Sequence, residues 1–327
     1  MKRVSIVGAS GAVGREILSI LEKRNFPIGT LRCFASEKSI GKTVSFRGVS
    51  IPLELIDRLD SFELLFFCAG SAISREWIPR TNGFVVDSSS AFRMDPNVPL
   101  IIPEINAHAM RHKPRVAASP NCAATVLLMP LFPLHRRYRV KRVIAATYQA
   151  ASGGGAKLLQ QLEEETRAHL EQRSHPKLFS FPYAFNLYPH NSFLHPSGYV
   201  EEELKMLQET RKILEDEAIG LSATCIRVPV LRAHSVAANV EFYEDICLEE
   251  MRSVWEKMPG LRLFEDKAQN RFATPDDATG IDDILCGRLR IDTSQPRTIE
   301  FWAVGDQLRK GAALNAVQIA ELSAFSF

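Results

Sequence analysis

The sequence lacks the short signatures of metal and disulfide chemistry. Its six cysteines, Cys33, Cys68, Cys122, Cys225, Cys247 and Cys286, lie far apart, with no CxxC or finger spacing among them. Neither a zinc knuckle nor a disulfide framework is therefore expected, and no metal site. A reducing compartment follows, with at least one thiol free for chemistry. A strong charge of one sign is also missing: 40 Lys and Arg stand against 38 Asp and Glu, a formal net charge of +2. That balance argues against nucleic acid or an anionic membrane as partner. Long apolar runs are scarce, and residues 63–69 and 123–134 fall well short of the ~20 needed to cross a bilayer. The basic and apolar start, residues 1–7, is broken by Gly8, Gly11 and Gly14 and runs into Arg15-Glu16. It reads as a first strand and helix, not as a signal peptide. A soluble, cytoplasmic protein without internal repeats is expected.

What is present fits a packed globular chain: 327 residues, 46% hydrophobic, 24% charged and 9% aromatic. At roughly 150 residues per domain, two domains are expected. The first third alternates apolar runs with amphipathic stretches, the pattern of βαβ units on a parallel sheet. Strands are expected at 4–7, 31–35, 64–68 and 84–87, and a helix over 13–23. Pro-rich stretches at 95–103 and 113–120 interrupt this rhythm. Beyond Cys122 the pattern changes to longer strands (141–148, 223–230, 236–242, 286–291, 298–304) separated by helices (155–172, 201–217, 248–257). Residues 174–199 read as irregular, and 311–324 as a final amphipathic helix. The fold class is α/β: a Rossmann-type dinucleotide-binding domain followed by an α+β domain built on a mixed sheet.

Gly8-Ala-Ser-Gly11-Ala-Val-Gly14 lies directly between the first strand and first helix. Glycines there let the backbone turn sharply and approach a pyrophosphate, which the helix N-terminal amides favour. The spacing is GxxGxxG rather than GxGxxG, so its weight comes from its place in a βαβ unit; the alternative is an ordinary glycine turn. Dinucleotide sites usually place an acid about 20 residues on, at the end of the second strand. Here Ser36, Lys38 and Ser39 stand there. Hydroxyls with a cation favour a 2′-phosphate, hence NADP over NAD, although Glu37 intervenes and a solvated loop is the alternative.

Ser119-Pro120-Asn121-Cys122 places a thiol between a rigid turn and an apolar helical run. A cysteine in the first helical turn faces unpaired amides and the positive dipole end, which favour the nucleophilic thiolate; a buried structural cysteine is the alternative. The other five cysteines read as structural. Seven of the eight histidines, His190 among them, sit in polar or loop-like company. His234 differs, lying between two strand-like runs in Arg227-Val-Pro-Val-Leu-Arg-Ala-His234, a common place for a site residue; a satisfied structural histidine is its default alternative. Arg227 offers a fork for a carboxylate; a surface salt bridge is its alternative.

Seven segments together resemble the aspartate-semialdehyde dehydrogenase family, from end to end and in the family's order: GASGAVG (8–14), DSSSAFRMDPNVPLIIPEIN (87–106), SPNCAAT (119–125), TYQAASGGG (147–155), EELKM (202–206), RVPVLRAHS (227–235) and LRKGAALNAVQIAE (308–321). The resemblance implies Cys122 as nucleophile, His234 as acid/base and Gln149 as the group that orients the acyl intermediate. It implies Arg227 for the substrate α-carboxylate, Glu202 for its amine, and Arg93, Asn121 and Lys205 for phosphate. For the cofactor it implies Gly8, Ser10, Gly11, Ala12, Val13 and Gly14, with Ser152 and Gly153 beside the nicotinamide and Asn315 and Gln318 on a returning helix. Glu202 and Lys205 also read as an i,i+3 surface pair.

The resemblance further implies NADPH-dependent reductive dephosphorylation of aspartyl phosphate to aspartate semialdehyde and phosphate, serving lysine, diaminopimelate, threonine and methionine biosynthesis. It implies a homodimer or homotetramer, with residues 1–121 and 305–327 binding NADP and 122–304 catalytic and dimerising. An N-acetyl-glutamyl-phosphate reductase and a non-catalytic paralogue are the alternatives. The chain departs from the family at Ala233, where glycine or cysteine is common, at Val236, commonly Glu or Gln, and at Ala123 and Ala124, often hydroxyl residues.

Overall fold

The computed structural model describes residues 2–175 and 178–324. The chain divides into two compact units, residues up to Asn121 together with those from Gly311, and Cys122–Lys310. In the first unit β1 (Lys2–Val7), α1 (Ala12–Lys23), β2 (Ile28–Phe34), β3 (Thr43–Phe46), β4 (Val49–Glu54), β5 (Leu64–Phe67), α2 (Ser71–Trp77), β6 (Phe84–Asp87), α3 (Pro103–Asn106) and β7 (Val116–Ala118) follow in order. They build a seven-stranded sheet in the order β3-β4-β2-β1-β5-β6-β7. Only the β3–β4 hairpin is antiparallel; the remaining pairs run parallel, with Val4 level with Leu31 on one side and Leu64 on the other. Apolar residues at helical spacing on α1 (Ile17, Leu18, Leu21) bury against Val4, Ile6 and Phe66 of the sheet. Val317, Ile319 and Ala320 join the same core.

The second unit runs through α4 (Cys122–Tyr138), β8 (Val140–Gln149), α5 (Ala156–Leu170), β9 (Tyr188–Pro189), α6 (Glu201–Leu214), β10 (Gly220–Arg227), β11 (His234–Phe242), α7 (Leu248–Glu256), β12 (Leu261–Leu263), β13 (Glu265–Asp266), β14 (Arg271–Phe272), α8 (Pro275–Ala278), β15 (Ile284–Ile291) and β16 (Thr298–Gly305). Its mixed sheet has the order β12-β15-β16-β11-β8-β10-β9. On β8, Val143, Ala145, Thr147 and Gln149 are buried while Arg142, Ile144, Ala146 and Tyr148 are not. That period of two is a strand with helices on one face and an open opposite face. On the covered face a Cβ at Gly305 would stand 2.2 Å from Ile284 of β15 and 3.0 Å from Val126 of α4.

Five features depart from the sequence reading. The β3–β4 hairpin and α2 were not expected; Pro52 inside β4 masks its strand pattern. β7 is a buried three-residue strand inside the Pro-rich stretch, paired to β6. The last helix, α9 (Leu314–Ala324), starts after a π-turn at Arg309–Ala313 instead of at Gly311. The second unit extends to Lys310, where 304 was expected. Side-chain bonds explain that boundary: Asp306 accepts from Arg232 Nε at 2.8 Å, Gln307 Nε2 donates to Ser152 Oγ at 2.5 Å, and Arg309 Nε donates to Asp282 at 2.7 Å.

Candidate active site

In the first unit the glycine turn closes tightly. Gly8 has φ 98°, and a Cβ there would stand 2.8 Å from the Cys68 carbonyl group. A Cβ on Gly14 would stand 2.4 Å from the Gly8 carbonyl oxygen. Gly11 caps α1 without a side-chain hydrogen bond, so the first-turn amides beside Ser10, Ala12 and Val13 have no side-chain acceptor at the cap. This shape fits a pyrophosphate. Ser36, Lys38 and Ser39 follow β2, with Ser36 and Lys38 exposed in and before a single turn at Glu37–Ser39.

Arg93 is buried, donating from Nε to the Ser119 carbonyl at 2.9 Å and from Nη2 to that of Ser88 at 3.1 Å. Asn315 donates from Nδ2 to the Ile101 carbonyl at 2.8 Å and to Ser119 Oγ at 3.0 Å. Gln318 Nε2 donates to Glu104 at 2.8 Å. Asn121 is buried at the end of this unit. The expected phosphate ligand Arg93 and the helix residue Asn315 thus both brace Ser119, two residues before Asn121.

In the second unit, strand register assembles the side chains. β8 and β10 run parallel with Gln149 level with Arg227, and β11 runs antiparallel to β8 with Ser235 level with Tyr148. Gln149, Arg227 and His234 therefore emerge at one end of three neighbouring strands, and all three are buried. Cys122 opens the 17-residue α4, is partly accessible, and lies within electrostatic range of Cys225 on β10. Gln149 Nε2 donates to Glu202 Oε1 at 3.1 Å, and Lys205 Nζ lies 3.8 Å from Glu202 and 2.9 Å from Glu201. Glu202 and Lys205 are thus the i,i+3 pair read from sequence, yet Glu202 is buried and bonded to Gln149.

His234 is fully buried, and its Nδ1 accepts the Ala150 backbone N–H at 3.0 Å. A neutral ring with Nδ1 accepting carries its proton on Nε2. Burial, reinforced by Arg227, pushes the imidazolium pKa down to about 3, so the ring is neutral at ordinary pH. Arg227 donates from Nη1 to the Ala150 carbonyl at 2.7 Å, and its Nη2 lies 3.0 Å from His190 Nε2. Gly153 closes the floor: a Cβ there would be 2.7 Å from the His234 ring and 3.3 Å from Arg227 Nη1. Three polar atoms here, Gln149 Oε1, Arg227 Nε and His234 Nε2, are buried with no hydrogen-bond partner among the described residues.

Two residues outside the sequence reading hold this arrangement. Gln307 accepts from the Ala233 N–H at 2.8 Å while donating to Ser152, bracing both sides of His234. His190, grouped with the loop histidines, touches Arg227. Neither carries a spacing signal, because each is placed by a segment remote in sequence.

The Semialdehyde dehydrogenase NAD binding domain family matches residues 3–113, and the Semialdehyde dehydrogenase dimerisation domain family matches residues 131–310. The aspartate-semialdehyde dehydrogenase of Synechocystis sp. is 46% identical over 326 residues, 98% of this chain and 96% of the relative. That of Aquifex aeolicus is 43% identical over 330 residues, 98% and 97% of the two chains. The crystal structure of aspartate semialdehyde dehydrogenase II from Vibrio cholerae, complexed with ASA, superposes with a TM-score of 0.96 at 36% identity, covering 100% and 99%. The chain belongs to the aspartate-semialdehyde dehydrogenase family.

Proposed function

We propose that this chain catalyses the reversible NADP-dependent reductive dephosphorylation of L-aspartyl 4-phosphate to L-aspartate 4-semialdehyde and phosphate. The observation that carries this reading is the set of buried, partnerless atoms on Gln149, Arg227 and His234 at one sheet end. Leaving such an atom unbonded costs about 1–3 kcal/mol, a cost that a bound polar substrate removes.

The Cys122 thiolate, favoured by the amides that open α4, attacks the acyl carbon. The C–O bond to phosphate breaks, and the released phosphate takes a proton from solvent. A thioester remains, splitting one hard displacement into two easier steps. When bound, NADPH supplies the hydride that reduces this thioester. His234, neutral with its proton on Nε2, donates a hydrogen bond from Nε2 to the thiohemiacetal oxygen while negative charge sits on it, and the C–S bond then breaks to release aldehyde and thiolate. Gln149 orients the acyl group, Arg227 pairs with the α-carboxylate and Glu202 with the ammonium. Arg93, Asn121 and Lys205 receive phosphate.

The tight turn at Gly8 and Gly14 and the α1 N-terminus suit the pyrophosphate, with Ser10, Gly11, Ala12 and Val13 around it. Ser36, Lys38 and Ser39 favour a 2′-phosphate, hence NADP. Ser152 and Gly153 flank the nicotinamide, and Asn315 and Gln318 border the cofactor site. The open sheet face, with Ile144 exposed and Tyr148 against Trp302 at 5.6 Å, pairs two copies as a homodimer.

Phosphate-driven NADPH formation from aspartate semialdehyde tests the reading. Turnover is expected to require phosphate or arsenate, to be faster with NADP than NAD, and to exceed that on N-acetyl-glutamate semialdehyde. Cys122→Ser should lose on the order of 10⁵-fold in kcat while still binding NADPH. Full turnover in that variant, or turnover without phosphate, would overturn it.

A further inference from the structure

His190 sits in the irregular segment ahead of α6, one residue beyond β9, where sequence gives it no role. Its Nε2 lies 3.0 Å from Arg227 Nη2. A guanidinium only donates, so Nε2 must carry the lone pair and Nδ1 the proton. Nδ1 faces the Ser192 turn, 3.1 Å from its Oγ and a longer 3.3 Å from its backbone nitrogen, so the hydroxyl is the acceptor; the same hydroxyl accepts the Glu202 backbone N–H at 3.1 Å. A continuous chain of bonds thus joins Arg227 to the N-terminus of α6, where Glu202 stands.

We propose that His190 is a positioning residue: its neutral imidazole fixes the Arg227 guanidinium and sets the spacing between Arg227 and Glu202, matching the two charged groups of an α-amino acid. The inference rests on the reading above, in which Arg227 takes the carboxylate and Glu202 the ammonium. Anchors on both terminal nitrogens, His190 at Nη2 and the Ala150 carbonyl at Nη1, fix the guanidinium plane. A preset donor loses less side-chain freedom when its acceptor arrives.

The titratable and charged groups facing His190 are Arg227 from β10, Glu202, Glu203 and Lys205 from α6, and His234 from β11. Burial is the largest influence and holds the imidazole below its ordinary range, with Arg227 and Lys205 acting the same way against the two carboxylates. The acceptor is therefore in place at neutral pH. Protonation in acid would set a second cation against Arg227 and break the tie.

Steady-state kinetics of the phosphate-driven reaction, with each substrate varied, tests this. His190→Leu should raise KM for the semialdehyde about 10- to 100-fold, as loss of a supporting hydrogen bond does elsewhere, with KM for phosphate and NADP unchanged. His190→Gln, whose amide oxygen accepts from Arg227, should recover most of the affinity. The wild-type semialdehyde KM should stay level through the ordinary imidazole range and rise only in stronger acid, because burial holds the His190 pKa low, and this limb should vanish in His190→Gln, which has no titrating group. The decarboxylated analogue 3-aminopropanal should not distinguish His190→Leu from wild type. Equal losses in both variants, a uniform rise in every KM, or an acid limb that survives His190→Gln would overturn the proposal. Arg227→Leu separates the two readings. If it leaves the semialdehyde KM unchanged, the carboxylate assignment falls and this inference with it. If it raises that KM while His190→Leu does not, only the positioning role falls.

Discussion

In the first unit seven consecutive residues, Gly8–Gly14, hold the backbone features that suit a pyrophosphate. In the second unit the candidate site draws on Gln149, Arg227 and His234, which share one sheet end because β8, β10 and β11 end or begin at one level, and on Glu202, hydrogen-bonded to Gln149. The first arrangement is made of backbone and needs the absence of side chains. The second is made of side chains and needs their register. The two sites should accordingly fail in different ways.

The sharpest contrast comes from adding one methyl group to each. In Gly14→Ala the new Cβ meets the Gly8 carbonyl oxygen at 2.4 Å. Backbone cannot step aside as a flexible side chain can, so overpacking of about 1–3 kcal/mol is expected, together with a large loss of NADPH affinity in a fluorescence titration. In Gly153→Ala the Cβ meets the His234 ring at 2.7 Å and 2.8 Å. The imidazole must move, and a displacement near 1 Å costs roughly 10²-fold in rate, read as kcat. If Gly14→Ala instead lowered only kcat, or Gly153→Ala left it unchanged, the division of labour would be wrong.

Acid should separate the units next. Neutral His234, with its pKa pushed down to about 3 from 6.5, binds one proton fewer than the unfolded chain between those values. Stability of the second unit should therefore fall as pH drops below about 6.5, by up to about 1.4 kcal/mol per pH unit from this residue. His135 and His190, both held low by burial, add to the slope. In the first unit Asp87 is shifted the other way: burial raises its pKa above 3.8, against hydrogen bonds from Ser74 and Ser89. Its contribution is present at acid pH and is lost as pH rises through the raised value. On acidification the second unit should lose hydrogen-exchange protection before the first, and His234→Asn should flatten its pH dependence. First-unit amides opening earlier would contradict this.

The same contrast explains what could be read from sequence. The glycine turn is local, and the strands at 64–67 and 84–87 are short apolar runs, so these parts of the first unit are legible, whereas α2 is not and Pro52 and the prolines flanking β7 hide strands. Cys122 was legible because a helix start is also local. The weight given to Gln149, Glu202 and Arg227 came from family resemblance, since no spacing predicts which strand ends adjoin. Gln307 and His190 were illegible for the same reason: each acts through a partner 155 or 37 positions away.

Ala233 gives the finest test, because there the two kinds of constraint meet in one residue. Its φ of 70° lies in the left-handed region, which disfavours alanine by about 1 kcal/mol relative to glycine. The family's frequent glycine at this point answers that strain. Yet the methyl group is buried with Ala273, Ala278, Leu285 and Val304, and removing it costs about 1 kcal/mol. Glycine also loses about 0.4–1 kcal/mol through the freer unfolded chain. Ala233→Gly should therefore change stability by no more than about 1 kcal/mol, toward destabilisation, in thermal or urea unfolding. Turnover should hold, because the Ala233 N–H bond to Gln307 is made by backbone. A clear gain in stability would mean that strain outweighs packing beside His234. A drop in kcat would mean that the methyl group itself helps to seat the ring.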